Sequence, residues 1–164
     1  MKRITLTNII SALNDNQVRY LIAGGLAVVF HGYMRFTSDL DLILDLNENN
    51  LKKAIAVFEE LGYIPRVPVK FSDLAKTNVR QKWIKEKEMT VFSIFNPDSI
   101  ETPIDIFVEI PFDFETEHSK APKDEIATGI EANFISYEQL INLKKISNRE
   151  IYKIDVENLE RIRK

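Results

Sequence analysis

The sequence predicts an α/β fold, and three observations carry that prediction. Two segments alternate apolar and polar residues with the period of a half-buried strand. Several others repeat apolar residues at helical spacing. Gly, Asn and Pro fall between these segments, where the chain must turn.

The elements come in this order. Ile4, Leu6, Ile9, Ile10 and Leu13 recur at helical spacing, so 5–16 reads as an amphipathic helix broken at Asp15-Asn16. Val18 to Ala23 is a buried strand, Gly24-Gly25 turns the chain, and Leu26 to Tyr33 is helical. Ser38 to Leu46 is a strand with Leu40, Leu42, Leu44 and Leu46 on one face and Asp39, Asp41, Ile43 and Asp45 on the other. The polar run 47–50 caps a helix through Leu61, ended by Gly62. Residues 72–87 read as one basic helix with Ser72 as its N-cap. Met89 to Phe95 is a strand and Asn96-Pro97-Asp98 a turn. Thr102 to Ile110 is a strand with Ile104, Ile106, Val108 and Ile110 on one face and Asp105, Phe107 and Glu109 on the other. Phe112 to Asp124 is polar and irregular, 126–135 is a final strand or hairpin, and Tyr137 to Arg163 forms two short helices.

Composition narrows the function classes. A chain of 164 residues, 45% of them hydrophobic, suits one globular domain with a small appendage. The net charge of −3 excludes a uniformly basic nucleic-acid-coating protein. The segment 98–131 is acidic and 144–164 basic, which solvated faces explain. Without cysteine there are no disulfides, thiol chemistry or Cys-based zinc sites. Only His31 and His118 occur, too few for a His-based metal centre. Met1-Lys2-Arg3 is basic, but Thr5, Thr7, Asn8 and Ser11 interrupt the stretch after it, and no apolar run is long enough to span a membrane. These features predict a soluble, cytoplasmic protein with no membrane partner.

The chemistry-bearing pattern is Gly24-Gly25 followed, beyond a short helix, by Asp39-Leu40-Asp41. Glycines at a strand-to-helix turn let backbone N–H groups approach phosphates without Cβ interference. Asp39 and Asp41 stand two apart on one strand face, their Cα atoms about 6.6 Å apart, so both can reach a hard cation over that face. Mg2+ or Mn2+ suits one or two carboxylates completed by phosphate oxygens and water. Asp105 interrupts an apolar strand, where a lone carboxylate is costly unless paired or metal-bound. It is the candidate third carboxylate of a two-metal phosphoryl-transfer site, either holding the metal nearest the attacking hydroxyl or acting as its base, with Glu109 a weaker substitute. The plain alternative is that all three aspartates are solvent-facing residues of half-buried strands.

The segment Leu21 to Leu44, LIAGGLAVVFHGYMRFTSDLDLIL, with its Arg35-x-Thr37-x-Asp39-x-Asp41 run, resembles the minimal nucleotidyltransferases of the polymerase-β-like superfamily. It is especially similar to the AbiEii-type toxin nucleotidyltransferases. The later residues Ser136, Leu140, Ile141, Lys144, Arg149, Asp155 and Leu159 match their C-terminal pattern, with departures at Asn148, commonly Gly, and Tyr152, often Asp. The resemblance implies a nucleotidyltransferase fold: a short mixed β-sheet flanked by helices, with a domain over 1–135 and a helical C-terminal extension over 136–164. It implies transfer of an NMP from an NTP to an acceptor hydroxyl on RNA or protein, and a cognate antitoxin. An antibiotic-modifying nucleotidyltransferase and a non-catalytic nucleotide- or partner-binding module are the alternatives.

In this scheme Asp39, Asp41 and Asp105 bind metal, Gly24 and Gly25 bind phosphates, and Arg35 and Thr37 touch phosphate or orient the loop. Lys144 is a point charge on the triphosphate, against the alternative of an ordinary surface lysine beside Lys145. Arg149 supports it or contacts the acceptor. His31 reads as a capped or core histidine. Gln17, Trp83 and the basic positions Lys76, Arg80, Lys82, Lys85 and Lys87 suggest an RNA groove, but an exposed helix with Trp83 packed inward is the preferred reading.

Overall fold

A five-stranded mixed sheet of order β1-β2-β5-β4-β3 forms the centre of the molecule. The computed structural model describes residues 5–147 and 149–163, without the side chains of Ile100 and Glu101. Met1-Lys2-Arg3, Ile4 and Asn148 lie outside the described residues. The strands are β1 (Tyr20–Ala23), β2 (Leu40–Leu44), β3 (Ile64–Pro65), β4 (Val91–Asn96) and β5 (Ser99–Phe107). A separate antiparallel hairpin joins β6 (Lys123–Ala127) to β7 (Ile130–Asn133). The helices are α1 (Leu6–Asp15), α2 (Gly24–Phe30), α3 (Glu48–Glu60), α4 (Thr77–Lys87), α5 (Phe114–Ser119), α6 (Tyr137–Ile146) and α7 (Glu150–Arg163).

Local chemistry sets the helix starts. Thr5 and Asn8 form a reciprocal capping box at α1, and its buried face of Ile9, Ile10 and Leu13 supplies apolar burial of about 1.5–3 kcal/mol per side chain. Asn47 caps α3, Ser136 caps α6 and Asp113 caps α5, each accepting from the backbone N–H three residues on. Leu40, Leu42, Ile43 and Leu44 are all fully buried, so both faces of β2 are covered beyond Asp41. That is why Ile43, on the aspartate side by alternation, sits in the core.

β2 pairs parallel with β5, and in this register Asp41 lies directly opposite Asp105. β4 pairs antiparallel with β5 and sets Ser93 opposite Asp105 on the other side. The register matters because a one-residue slip would turn each aspartate to the opposite face.

Four sequence expectations need correction, the first being the strand expected over Thr102 to Ile110, which runs Ser99–Phe107 and leaves Glu109 and Ile110 beyond it. Residues 72–87 are not one helix: a 3₁₀ turn over Phe71–Ala75 precedes α4, and Lys76 between them is extended at φ −97°, ψ 114°. Burial of Phe71, Leu74 and Ala75 against the core bends the chain there, and Ser72 caps nothing. The segment 112–124 holds α5 and the start of β6; only Phe114 and Glu117 of α5 are buried, so it carries little apolar periodicity. The strand pair near the C-terminal third begins at Lys123, with Gly129 at φ 77° in its turn. β3 is a two-residue edge strand that leaves no sequence pattern.

Candidate active site

The expected site residues converge on one cleft of about 750 Å³. Asp39, Asp41, Asp105, Gly24, Gly25, Arg35, Thr37, Lys144, Glu109 and Arg149 all line it. Asp41 and Asp105 project from adjacent parallel strands, and Asp39 lies just before β2. Asp105 Oδ1 accepts a 2.6 Å hydrogen bond from Ser93 Oγ. Asp39 is exposed and takes a 3.2 Å bond from Ser38 Oγ.

Burial, then repulsion from Asp105 and Asp39, pushes the Asp41 carboxyl up to about 6, against a partial pull down from Lys144 and Arg35. A carboxylate cluster held at this electrostatic cost fits a site for hard cations. Among the described residues no three carboxylate or imidazole groups stand close enough to form a ready-made metal cage. The donor set instead suits Mg2+, which takes one or two carboxylates and completes its shell with waters and phosphate oxygens.

The glycines stand at the expected strand-to-helix junction between β1 and α2. Gly24 begins α2 itself and has φ +61°, a left-handed conformation that costs a side-chain-bearing residue. A Cβ there would run into the Asp41 carboxylate, 2.8 Å from Asp41 Cβ. A Cβ at Gly25 would stand 2.7 Å from Thr37 Cβ and 3.3 Å from Arg35 Nη1. The missing side chains are therefore needed first so that Asp41 and Thr37 can lie against the α2 backbone.

The opposite wall comes from α6 and α7. Lys144 is no surface lysine: its side chain is 3% exposed, and Nζ donates to Asp155 Oδ2 at 2.9 Å. Burial lowers its pKa, while Asp155 raises it. Arg35 Nη2 donates to the same Oδ2 at 3.0 Å, and Nε lies 2.8 Å from Oδ1, close as an ion pair but not aligned as a hydrogen bond. Tyr152, where the resembled pattern often has Asp, sits under Lys144 with Nζ 4.1 Å from its ring centroid. It also accepts a bond from Arg149 Nη1 at 3.1 Å.

Sequence reasoning gave no role in the site to Ser93 or Asp155. Ser93 had no signal beyond its strand position. Asp155 had no signal beyond its place in the C-terminal pattern, since Leu159 is the one other buried position among the described residues of α7. His31 is structural: Nε2 lies 2.8 Å from the Ile135 carbonyl oxygen, and its ring packs edge-on to Phe30 and Tyr137. Trp83 points inward and stacks on Phe92, and Arg80 is buried with Nη1 donating to the Leu74 carbonyl oxygen. This agrees with the inward-packed reading of α4.

The arrangement of strands and helices matches proteins of known structure. The lincosamide antibiotic adenylyltransferase LnuA, bound to lincomycin, superposes with a TM-score of 0.61 at 17% identity, over 97% of this chain and 98% of that one. The chain has the nucleotidyltransferase fold. ANT(2")-Ia in complex with adenylyl-2"-tobramycin shares this nucleotidyltransferase fold at a TM-score of 0.52 and 15% identity, over 92% of this chain and 82% of that one. A solution structure of the same antibiotic-resistance factor gives a TM-score of 0.55 at 15% identity, over 92% and 78%. No family model matches the sequence, and no curated protein matches it. Among the described residues no helix is long and apolar enough to cross a membrane.

Proposed function

We propose that this chain is a metal-dependent nucleotidyltransferase that moves an NMP from an NTP to an acceptor hydroxyl. The observation that carries this reading is the parallel register placing Asp41 beside Asp105, in one cleft with Asp39 and facing Lys144 and Arg35. Asp39 and Asp41 would hold Mg2+ or Mn2+, with Asp105 as the third carboxylate available to the ions. When bound, the ions offset charge on the phosphates and favour ionisation of the acceptor hydroxyl. Asp105, fixed by Ser93, is aimed to take the hydroxyl proton. The acceptor oxygen attacks the α-phosphorus, a new P–O bond forms, the bond to the β-phosphate oxygen breaks, and pyrophosphate leaves. Gly24, Gly25, Arg35 and Thr37 line the phosphate path. Lys144, carried by the extension over 136–164, faces the triphosphate from across the cleft.

For the acceptor we favour a small hydroxyl-bearing molecule of the antibiotic type. The likeness to LnuA, a lincosamide antibiotic adenylyltransferase, spans 97% of this chain and 98% of that one, and it supports this reading. The toxin-type reading, with an RNA or protein acceptor and a cognate antitoxin, rests on the sequence resemblance alone.

The test is incubation of the protein with each α-labelled NTP, Mg2+ or Mn2+, and in separate reactions a lincosamide and aminoglycoside panel, total RNA, or cell-extract protein. Label on a small molecule supports the favoured acceptor, and label on RNA or protein the toxin-type one. No label under any condition leaves a nucleotide- or partner-binding module.

A further inference from the structure

Asp155 has no exposed surface, yet it meets two cations from two different parts of the chain. Arg35 comes from the loop before β2, and Lys144 from α6. Both cations line the cleft and both act electrostatically on Asp41. A buried carboxylate with a single cation would form a neutral pair. Here one negative charge serves two positive ones, so a net positive charge stays fixed at the wall opposite the aspartates.

We infer that Asp155 is a positioning residue for nucleotide binding: it holds Arg35 and Lys144 at the cleft without neutralising both, leaving their surplus positive charge to meet a triphosphate. The inference rests on the nucleotidyltransferase reading above. Three features support it. First, Lys144 Nζ and Arg35 Nη2 converge on the same oxygen, Oδ2, so the carboxylate fixes the two cations relative to each other. Second, Arg35 Nη1 is spent on the Phe36 carbonyl oxygen at 3.0 Å, which ties the loop carrying Thr37 and Asp39 to the same anchor. Third, the two cations repel each other: the Arg35 charge works against protonation of Lys144, so without Asp155 they would move apart. Pinning two long side chains before the ligand arrives removes rotamer freedom that binding would otherwise have to freeze.

A merely structural Asp155 would hold α7 to the sheet and nothing more, and the two roles separate experimentally. Calorimetric titration with Mg2+ and each NTP is run on wild type, Asp155→Asn, Arg35→Gln/Lys144→Met, and that double variant with Asp155→Asn added. Leu159→Ala, one turn further along α7 and fully buried, serves as the control for loosened packing. Circular dichroism sets a temperature at which all are folded. In the triple variant the ionic groups are all neutral, so folding does not depend on leaving a buried charge unpaired.

The expected result is at least a tenfold rise in Kd for Asp155→Asn, less than a twofold further change when Asp155→Asn is added to the double variant, and a Kd near wild type for Leu159→Ala. If Asp155→Asn is folded and keeps the wild-type Kd, the inference is overturned. It is also overturned if Asp155→Asn costs tenfold again in the double-variant background, because the residue would then act without its two cations, or if Leu159→Ala weakens binding as much. If Asp155→Asn does not fold at any temperature, the comparison of triple with double variant decides alone. A wild type that binds no NTP overturns the nucleotidyltransferase reading and this inference together. A wild type that binds NTP while Asp155→Asn binds equally well overturns the inference only.

Discussion

Replacing Asp41 by Asn should stabilise the protein in the absence of metal and abolish transfer in its presence. The carboxyl is pushed from 3.8 to about 6, chiefly by burial and then by Asp105 and Asp39. A shift of about two units at 1.36 kcal/mol per unit makes ionised Asp41 a penalty of about 3 kcal/mol at neutral pH. A pKa raised in the folded state gives a penalty fully present above pH about 6, relieved as pH falls from there towards the unfolded value near 4. The asparagine keeps the shape but still buries an amide, so only part of the penalty is recovered. With about 2–4 °C per kcal/mol for a chain of this size, a rise of roughly 3–8 °C in Tm is expected at pH 7.5. That rise should shrink below pH 6 and vanish near pH 4. Mg2+ with NTP should stabilise wild type and leave Asp41→Asn almost unmoved, since the bound ligand stabilises through this carboxylate. Differential scanning calorimetry across pH, with and without Mg2+ and NTP, reads each of these. A variant less stable than wild type at pH 7.5, or equally stabilised by Mg2+ with NTP, would refute both the repulsion argument and the metal assignment.

The geometry of the walls yields two further predictions. Gly24→Ala forces a side chain into a left-handed backbone position and against Asp41, so it should lower Tm by several degrees and reduce transfer at least tenfold; a melting curve within about 1 °C of wild type would show that the α2 start can shift freely. Lys144→Ala leaves Asp155 paired with Arg35 alone and removes one charged hydrogen bond, so it should cost about 1.5–3 kcal/mol of stability and at least tenfold in NTP affinity. Lys145→Ala breaks only an exposed pair with Glu160, worth about 1 kcal/mol at most, and should alter neither; denaturant unfolding and calorimetry compare the two, and matching behaviour would remove Lys144 from the site.

What the sequence revealed of the site depended on how local each signal was. Asp39 and Asp41 are two residues apart, one just before β2 and one within it, and Asp105 stands out because its neighbours Ile104 and Ile106 are apolar. Alternation makes such residues readable without knowing which strands pair. The Gly24-Gly25 pair was visible for the same reason, but its partner was not. Asp41 approaches Gly24 only because β1 and β2 pair antiparallel with Ala23 opposite Asp41. Asp155 and Arg35 are 120 positions apart, and nothing in either neighbourhood declares the contact. The break at Lys76 was hidden because helical residue types continue through it, and tertiary burial of Phe71 and Leu74 overrode that local preference.

The charge layout of the cleft argues for one kind of ligand over others. One wall holds three carboxylates, of which Asp41 is buried against its own interest. The other holds two cations sharing one carboxylate, so it keeps a positive excess. A free triphosphate would satisfy the cationic wall but add to the repulsion at the carboxylates. A bare divalent cation would relieve the carboxylates and leave Lys144 and Arg35 unsatisfied. An organic polycation would do the same at the first wall and be repelled at the second. A triphosphate carrying Mg2+ presents the ion to the aspartates and its oxygens to Lys144 and Arg35, offsetting both excesses at once. The cleft should therefore bind metal and nucleotide cooperatively, each raising the affinity for the other by the same factor. The coupling depends on register: only the pairing of Asp41 opposite Asp105 keeps both carboxylates on the face that looks across to α6 and α7.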